Sequence, residues 1–264
     1  MLGNRRFVYH VCRWTSLGPP PSPPPIVGSF SHKYDTFLAK YPMMHALHNR
    51  VVNGSRWCVM DVKQLWALRS IDLKDNNQLD KLTIPQLETL IQSPREVVKM
   101  ISLITVLNIP GPGDILILLL IFFPRLILTR HFWTKSQREE FFLSDINKCV
   151  EAAKFLTTTS LPSKIEELNE VQKAQLSKLY GGFLPWSVNK LKERYLLTHN
   201  IDSRLDVSSL NRDQLIFHLF LRRVPYVIDE DDDSLRKRLA NAIQKGESAS
   251  SPVEYLTSTL RSLG

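Results

Sequence analysis

Hydrophobic positions fall at helical spacing along most of this chain. Over residues 33–70, Tyr34, Phe37, Leu38, Tyr41, Val51, Trp57, Val62, Leu65 and Trp66 lie at helical spacing, predicting one or two amphipathic helices. From Thr134 onward the period returns in pieces, as a bundle of about six helices would show. Leu168, Val171, Leu176 and Leu179 stripe a helix over 168–180 that Gly181 and Gly182 end; another follows over 188–197. Leu215, Ile216, Leu219 and Phe220 stripe the helix 212–223, and Leu235, Leu239, Ala242 and Ile243 stripe 234–245, stopped by Gly246. Residues 100–128, MISLITVLNIPGPGDILILLLIFFPRLIL, have no polar stripe and carry only Asp114 and Arg125 as charges. About 20 apolar residues cross a bilayer, so a single transmembrane helix is expected there, kinked at Pro110-Gly111-Pro112-Gly113. Two half-helices about a turn are the other arrangement.

Cap residues agree with the period. Thr83/Gln86, Thr134/Gln137, Ser163/Glu166 and Asn211/Gln214 have capping-box spacing, and Ser251/Glu254 adds Pro252 in the first turn. Asp232 or Asp233 is placed to cap the helix over 234–245. No Asn-Gly or Asp-Gly hairpin turn occurs. The fold class expected is all-α, with a single transmembrane helix followed by a C-terminal helical bundle. Four regions follow: 1–32, 33–99 before the membrane, 100–128 through it, and 134–264.

Charge changes the picture at the N-terminus. The first 34 residues hold no Asp or Glu, but carry Arg5, Arg6, Arg13 and Lys33 among Phe7, Val8, Val11 and Trp14, which reads as a mitochondrial transit peptide. Six prolines within residues 19–25 form a polyproline-like spacer behind it. The net charge is +8, but residues 1–128 carry 14 Lys+Arg against 8 Asp+Glu while 129–264 carry 20 against 18. The second half therefore has local basic clusters rather than a strong field, and DNA is not an expected partner. The clusters are Lys190, Lys192 and Arg194; Arg222 and Arg223; and Arg236, Lys237 and Arg238. Each is either a solvated helix face or a contact for RNA phosphates or an acidic protein surface. Arg130, His131, Lys135 and Arg138 make the C-terminal flank of the apolar segment the more basic one, which places that side in the matrix.

Little chemistry is visible. The chain lacks a P-loop, GxSxG, HExxH and a dinucleotide fingerprint, so neither an enzyme nor a cofactor is expected. Cys12, Cys58 and Cys149 are far apart and odd in number, and His45 and His48 have no clustered third ligand, so no metal site is expected. The acidic run at 229–233 lacks the Gly and the terminal carboxylate of a calcium loop, its sixth and twelfth places being Ser234 and Ala240. Asp114 follows the Pro/Gly break and precedes the run from Ile115, the place of an N-cap. At membrane depth it is also the candidate carrier of a proton or cation.

The pieces Ile109-Pro110, Phe123-Pro124-Arg125 and Arg130-His131-Phe132-Trp133-Thr134 resemble the mitochondrial Letm family. Lys33-Tyr34-x-x-Phe37-Leu38, Leu65-Trp66-Ala67, Leu176-Ser177-Lys178-Leu179 and Leu210-Asn211-Arg212-Asp213-Gln214-Leu215 extend the likeness, most closely to the smaller members with a Letm-type ribosome-binding domain. The resemblance implies a single-pass inner-membrane protein with its C-terminal domain in the matrix. That domain would bind the mitochondrial ribosome and support mitochondrial structure and respiratory-chain biogenesis. The larger members place a Glu three residues after the membrane proline; here Gly113 holds that place and Asp114 the next, about 100° further round a helix. The alternative the family implies is a cation/proton antiporter, or a subunit of one, using Asp114 in contact with membrane lipid. A lone kinked helix encloses no pathway, so that role requires a homo-oligomer.

Overall fold

A computed structural model describes residues 36–37, 39–107, 109, 128–182 and 185–260. The expected transit peptide, the Pro/Gly break, Asp114 and the apolar run to residue 127 lie outside the described residues. The described residues are helical, with no strand among them. No helix among them is long and apolar enough to cross a membrane.

The chain divides into two compact units, one built from residues up to Arg69 with Gln92–Trp133, the other from Ser70–Ile91 with Thr134 onward. In the first unit, α1 (Pro42–Leu68) is one continuous helix, with Pro42 tolerated in its first turn. Gly54 sits inside it, at a cost of about 1 kcal/mol relative to Ala. A Cβ there would stand 2.6 Å from the Phe132 ring and 2.8 Å from the His131 carbonyl oxygen. The close approach of the 3₁₀ turn Arg130–Phe132 explains the glycine.

The second unit contains α2 (Asn76–Leu79) and the opening of α3 (Ile84–Leu107), whose residues from Gln92 onward belong to the first unit. It continues with α4 (Lys135–Asn147), α5 (Val150–Thr158), α6 (Glu170–Leu179) and α7 (Val188–Asp202). It closes with α8 (Arg212–Leu221), α9 (Asp232–Glu247) and α10 (Pro252–Thr257). Its core joins Cys149, Leu156, Ile165, Leu176, Leu179, Leu191, Val253 and Leu256. Burial of each Leu contributes roughly 1.5–3 kcal/mol. Residues 70–91 do not group with the rest of the expected 33–99 region. Leu79, Leu82 and Leu87 are buried, and Arg204 on the loop after α7 donates to the carbonyls of Asp80, at 3.2 Å, and Leu82, at 2.7 Å.

Helix starts follow the sequence with two shifts, and one helix end is displaced. The boxes at Thr134/Gln137 and Asn211/Gln214 are formed in both directions. At Thr83 the backbone N–H and the hydroxyl both donate to Gln86 Oε1, at 2.8 and 3.1 Å. The expected Ser163/Glu166 box is replaced by Asn169/Gln172, ahead of which Ile165–Glu167 is a 3₁₀ turn. Ile165 and Leu168 are both buried, three positions apart on one side of the turn. Asp231 caps α9 in place of Asp232 or Asp233, and that helix runs through Gly246. Gly246 does not stop the helix; it clears space for the Tyr255 ring, whose Cε2 a Cβ would meet at 2.9 Å.

Candidate functional site

The eight basic residues expected on a binding surface fall into two groups. Arg222 and Arg223 are 5% exposed and belong to the interior of the second unit, which corrects their assignment to a surface cluster. They follow α8, whose apolar stripe draws the helix end into the core. Arg222 Nη2 pairs with the buried Asp202 of α7, and Nη1 donates to the His218 carbonyl at 2.8 Å. Thr259 Oγ1 donates to the Arg222 carbonyl at 2.7 Å, and Tyr255 OH to Asp202 Oδ2 at 2.5 Å. His218 Nε2 lies 3.1 Å from Glu88 Oε1 of α3. A buried chain of polar groups therefore runs from Glu88 through His218, Arg222 and Asp202 to Tyr255. Arg223 takes φ 57° just past the helix, where glycine is usual, and its guanidinium lies 4.3 Å from the centre of the Phe220 ring. Arg194 joins the same region, donating to the Leu221 carbonyl at 2.6 Å with its guanidinium 4.7 Å over Tyr180. Burial pulls its pKa down to about 10.

The remaining five are outward. Arg236 and Arg238 are held by the acidic run, through Asp233 at 2.8 Å and Glu230 at 2.5 Å. Arg212, which sequence reading passed over, takes Glu139 at 2.7 Å, Asp232 at 3.2 Å and the Glu230 carbonyl at 2.6 Å. The run at 229–233 is thus an internal set of counter-ions. Lys192 pairs with Glu166, Lys190 lies 5.0 Å over the exposed side of Trp186, and Lys237 is exposed on α9. Lys190, Lys192, Lys237 and Arg238 are the predicted residues that keep charge at the surface.

In the first unit, Arg130 and His131 are 2% and 4% exposed and cannot serve as a basic membrane flank. Arg130 Nη2 reaches Asp61 Oδ2 at 2.6 Å, Ser93 Oγ donates to the same oxygen at 2.6 Å, and His131 Nε2 is 3.1 Å from it. The Arg130 amide donates to Glu96 at 3.1 Å, and its guanidinium lies 5.2 Å over Trp57. With the proton on Nε2, His131 donates to Asp61 and accepts from Thr129 Oγ1 at 3.0 Å through Nδ1. Burial alone would raise the Asp61 carboxyl, but the His131 bond, the Arg130 charge and the Ser93 hydroxyl hold it at about 2. A signal for this cluster was available: Asp61 is the only acid in residues 36–69 and shares a side of α1 with Trp57 and Leu68.

Both buried histidines should make the fold acid-sensitive. Burial, reinforced by the nearby arginine, lowers His131 and His218 below 6.5. The unfolded chain then takes up protons near pH 6.5 that the folded chain refuses, so stability is full above that value and falls as pH drops through it. The limiting slope is about 1.4 kcal/mol per pH unit for each histidine. Asp61 adds a further loss below its ordinary 3.8. Urea midpoints of the detergent-solubilised protein at pH 7.5 and 5.5 should differ accordingly; equal midpoints would count against the neutral buried pairings.

Residues 82–245 match the family described as LETM1-like, RBD. The chain belongs to this family. It is 27% identical over 140 residues to LETM1 domain-containing protein 1 of Xenopus tropicalis, covering 51% of this chain and 40% of that protein. The human protein of the same name is 31% identical over 111 residues, 41% of this chain and 31% of its own length. The chain therefore spans well under two thirds of these relatives. No solved structure matches. The region matching the LETM1-like family contains the Glu88–His218 and Asp202–Arg222 pairs and begins after Asp61.

Proposed function

We propose that this protein is a non-enzymatic adaptor of the mitochondrial inner membrane. A single span within residues 100–128 anchors it, and the helical domain on the matrix side binds the mitochondrial ribosome, supporting mitochondrial structure and respiratory-chain biogenesis. The observation that carries the reading is the LETM1-like RBD match over most of the second unit. Lys190 and Lys237 supply exposed cations suited to RNA phosphates, with the half-buried Lys192 beside Lys190.

The test is co-sedimentation of the full-length protein, in detergent, with mitochondrial ribosomes across a salt series. Lys190→Glu/Lys192→Glu/Lys237→Glu should weaken binding by at least about tenfold and flatten its salt dependence. Unchanged binding by the triple variant would remove these lysines from the interface, and no binding by the parent at low salt would remove the adaptor reading.

A further inference from the structure

Helix α1 carries an apolar face that the described residues of the first unit leave exposed. Met44, Val51, Val59, Val62 and Trp66 are 41–67% exposed. At 100° per residue they fall within a sector about 80° wide, running roughly 33 Å along the helix. The side of the helix holding the buried Trp57 and Asp61 lies about 140° away. Residues 36–69 also carry Lys40, Arg50, Arg56, Lys63 and Arg69, all exposed, while Asp61 is buried against Arg130. The helix thus shows cations and apolar groups to its surroundings and no carboxylate. Arg56 and Lys63 follow one border of the stripe, and Arg69 stacks 4.0 Å over Trp66 at its end. In the same unit α3 exposes Val98, Ile101 and Ile104, where the apolar stretch 100–128 begins.

We infer that α1 lies along an anionic bilayer surface, its stripe in the acyl boundary and its cations among the headgroups. The inference rests on the proposed span and extends it. An exposed hydrophobic stripe flanked by cations, with an aromatic residue at its end, is the pattern of an interfacial helix. A second copy of α1 is a poor occupant, because the exposed cations would face one another without an acid to pair with.

The experiment uses the full-length protein in phosphatidylcholine vesicles with about 30% phosphatidylglycerol, an anionic surface of the kind such helices recognise. Half of the samples carry acyl chains brominated near the headgroup. Subtracting the emission of Trp66→Phe isolates Trp66, whose exposure makes the replacement harmless to the core. Brominated lipid should quench that component by about half or more, and aqueous acrylamide should reach it weakly. Quenching by acrylamide alone would put Trp66 in water and overturn the inference. Quenching by neither would put a protein partner or second copy on the stripe and overturn it equally. Carbonate extraction of the same vesicles tests the span separately. A resistant protein with Trp66 in water loses only the interfacial helix, and an extracted protein whose Trp66 was lipid-quenched beforehand loses only the span.

Discussion

Arg222→Ala should destabilise the second unit by about 3–5 kcal/mol, because removing one partner of a buried ion pair leaves the other uncompensated. Asp202 would keep only the Tyr255 hydroxyl, at 2.5 Å, in a site where its side chain is 4% exposed. The ends of α7 and α8 and the Thr259 hydroxyl all meet at this arginine. Arg222→Lys should recover part of the loss: it restores the charge but not the forked donors that reach Asp202 and the His218 carbonyl together. Thermal melting of the detergent-solubilised full-length protein should fall by roughly 10 °C or more for Arg222→Ala. Lys190→Ala, by contrast, should stay within about 0.5 kcal/mol of the parent. Equal melting temperatures for the two variants would refute the buried pairing.

Asp61→Asn should have an effect of similar size in the first unit. The amide keeps the shape of the carboxylate but leaves the Arg130 guanidinium buried with no opposite charge at 2.6 Å. A loss of about 3–5 kcal/mol is expected. Asp61→Asn/Arg130→Gln should cost less than the two single changes together, by roughly 0.5–3 kcal/mol of coupling. Hydrogen exchange read over α1 and residues 92–107 localises the effect. Additive single changes, or faster exchange confined to the second unit, would contradict the network.

The helices of the second unit were largely legible because their information is local: a stripe, a cap three residues before its partner, a glycine after. Thr134/Gln137 and Asn211/Gln214 are read correctly on those terms. The site was less legible, because a run of basic letters does not say which side chains the core will take. Arg222 and Arg223 look like a surface pair until Asp202 and Phe220 are brought up beside them. Arg130 and His131 looked like a flank because Asp61 stands 69 and 70 positions away from them. Ser163/Glu166 had correct cap spacing, but Ile165–Glu167 is a 3₁₀ turn and Asn169/Gln172 forms the reciprocal box one turn later.

The discontinuity of the first unit bears on the order in which the protein forms. Its two stretches are interrupted by residues 70–91, which fold elsewhere. The Asp61–Arg130 bond closes a separation of 69 residues. Closure of that length carries a loop-entropy cost, larger than that of the Ser93–Asp61 bond 32 residues apart. Until residue 130 has emerged and returned, α1 has no counter-charge for Asp61, and the Phe132 ring has not reached Gly54. A chain interrupted anywhere before the Arg130–Phe132 turn therefore exposes an unsecured amphipathic helix. Maturation of this unit is a late event, completed only after the intervening apolar stretch has been dealt with.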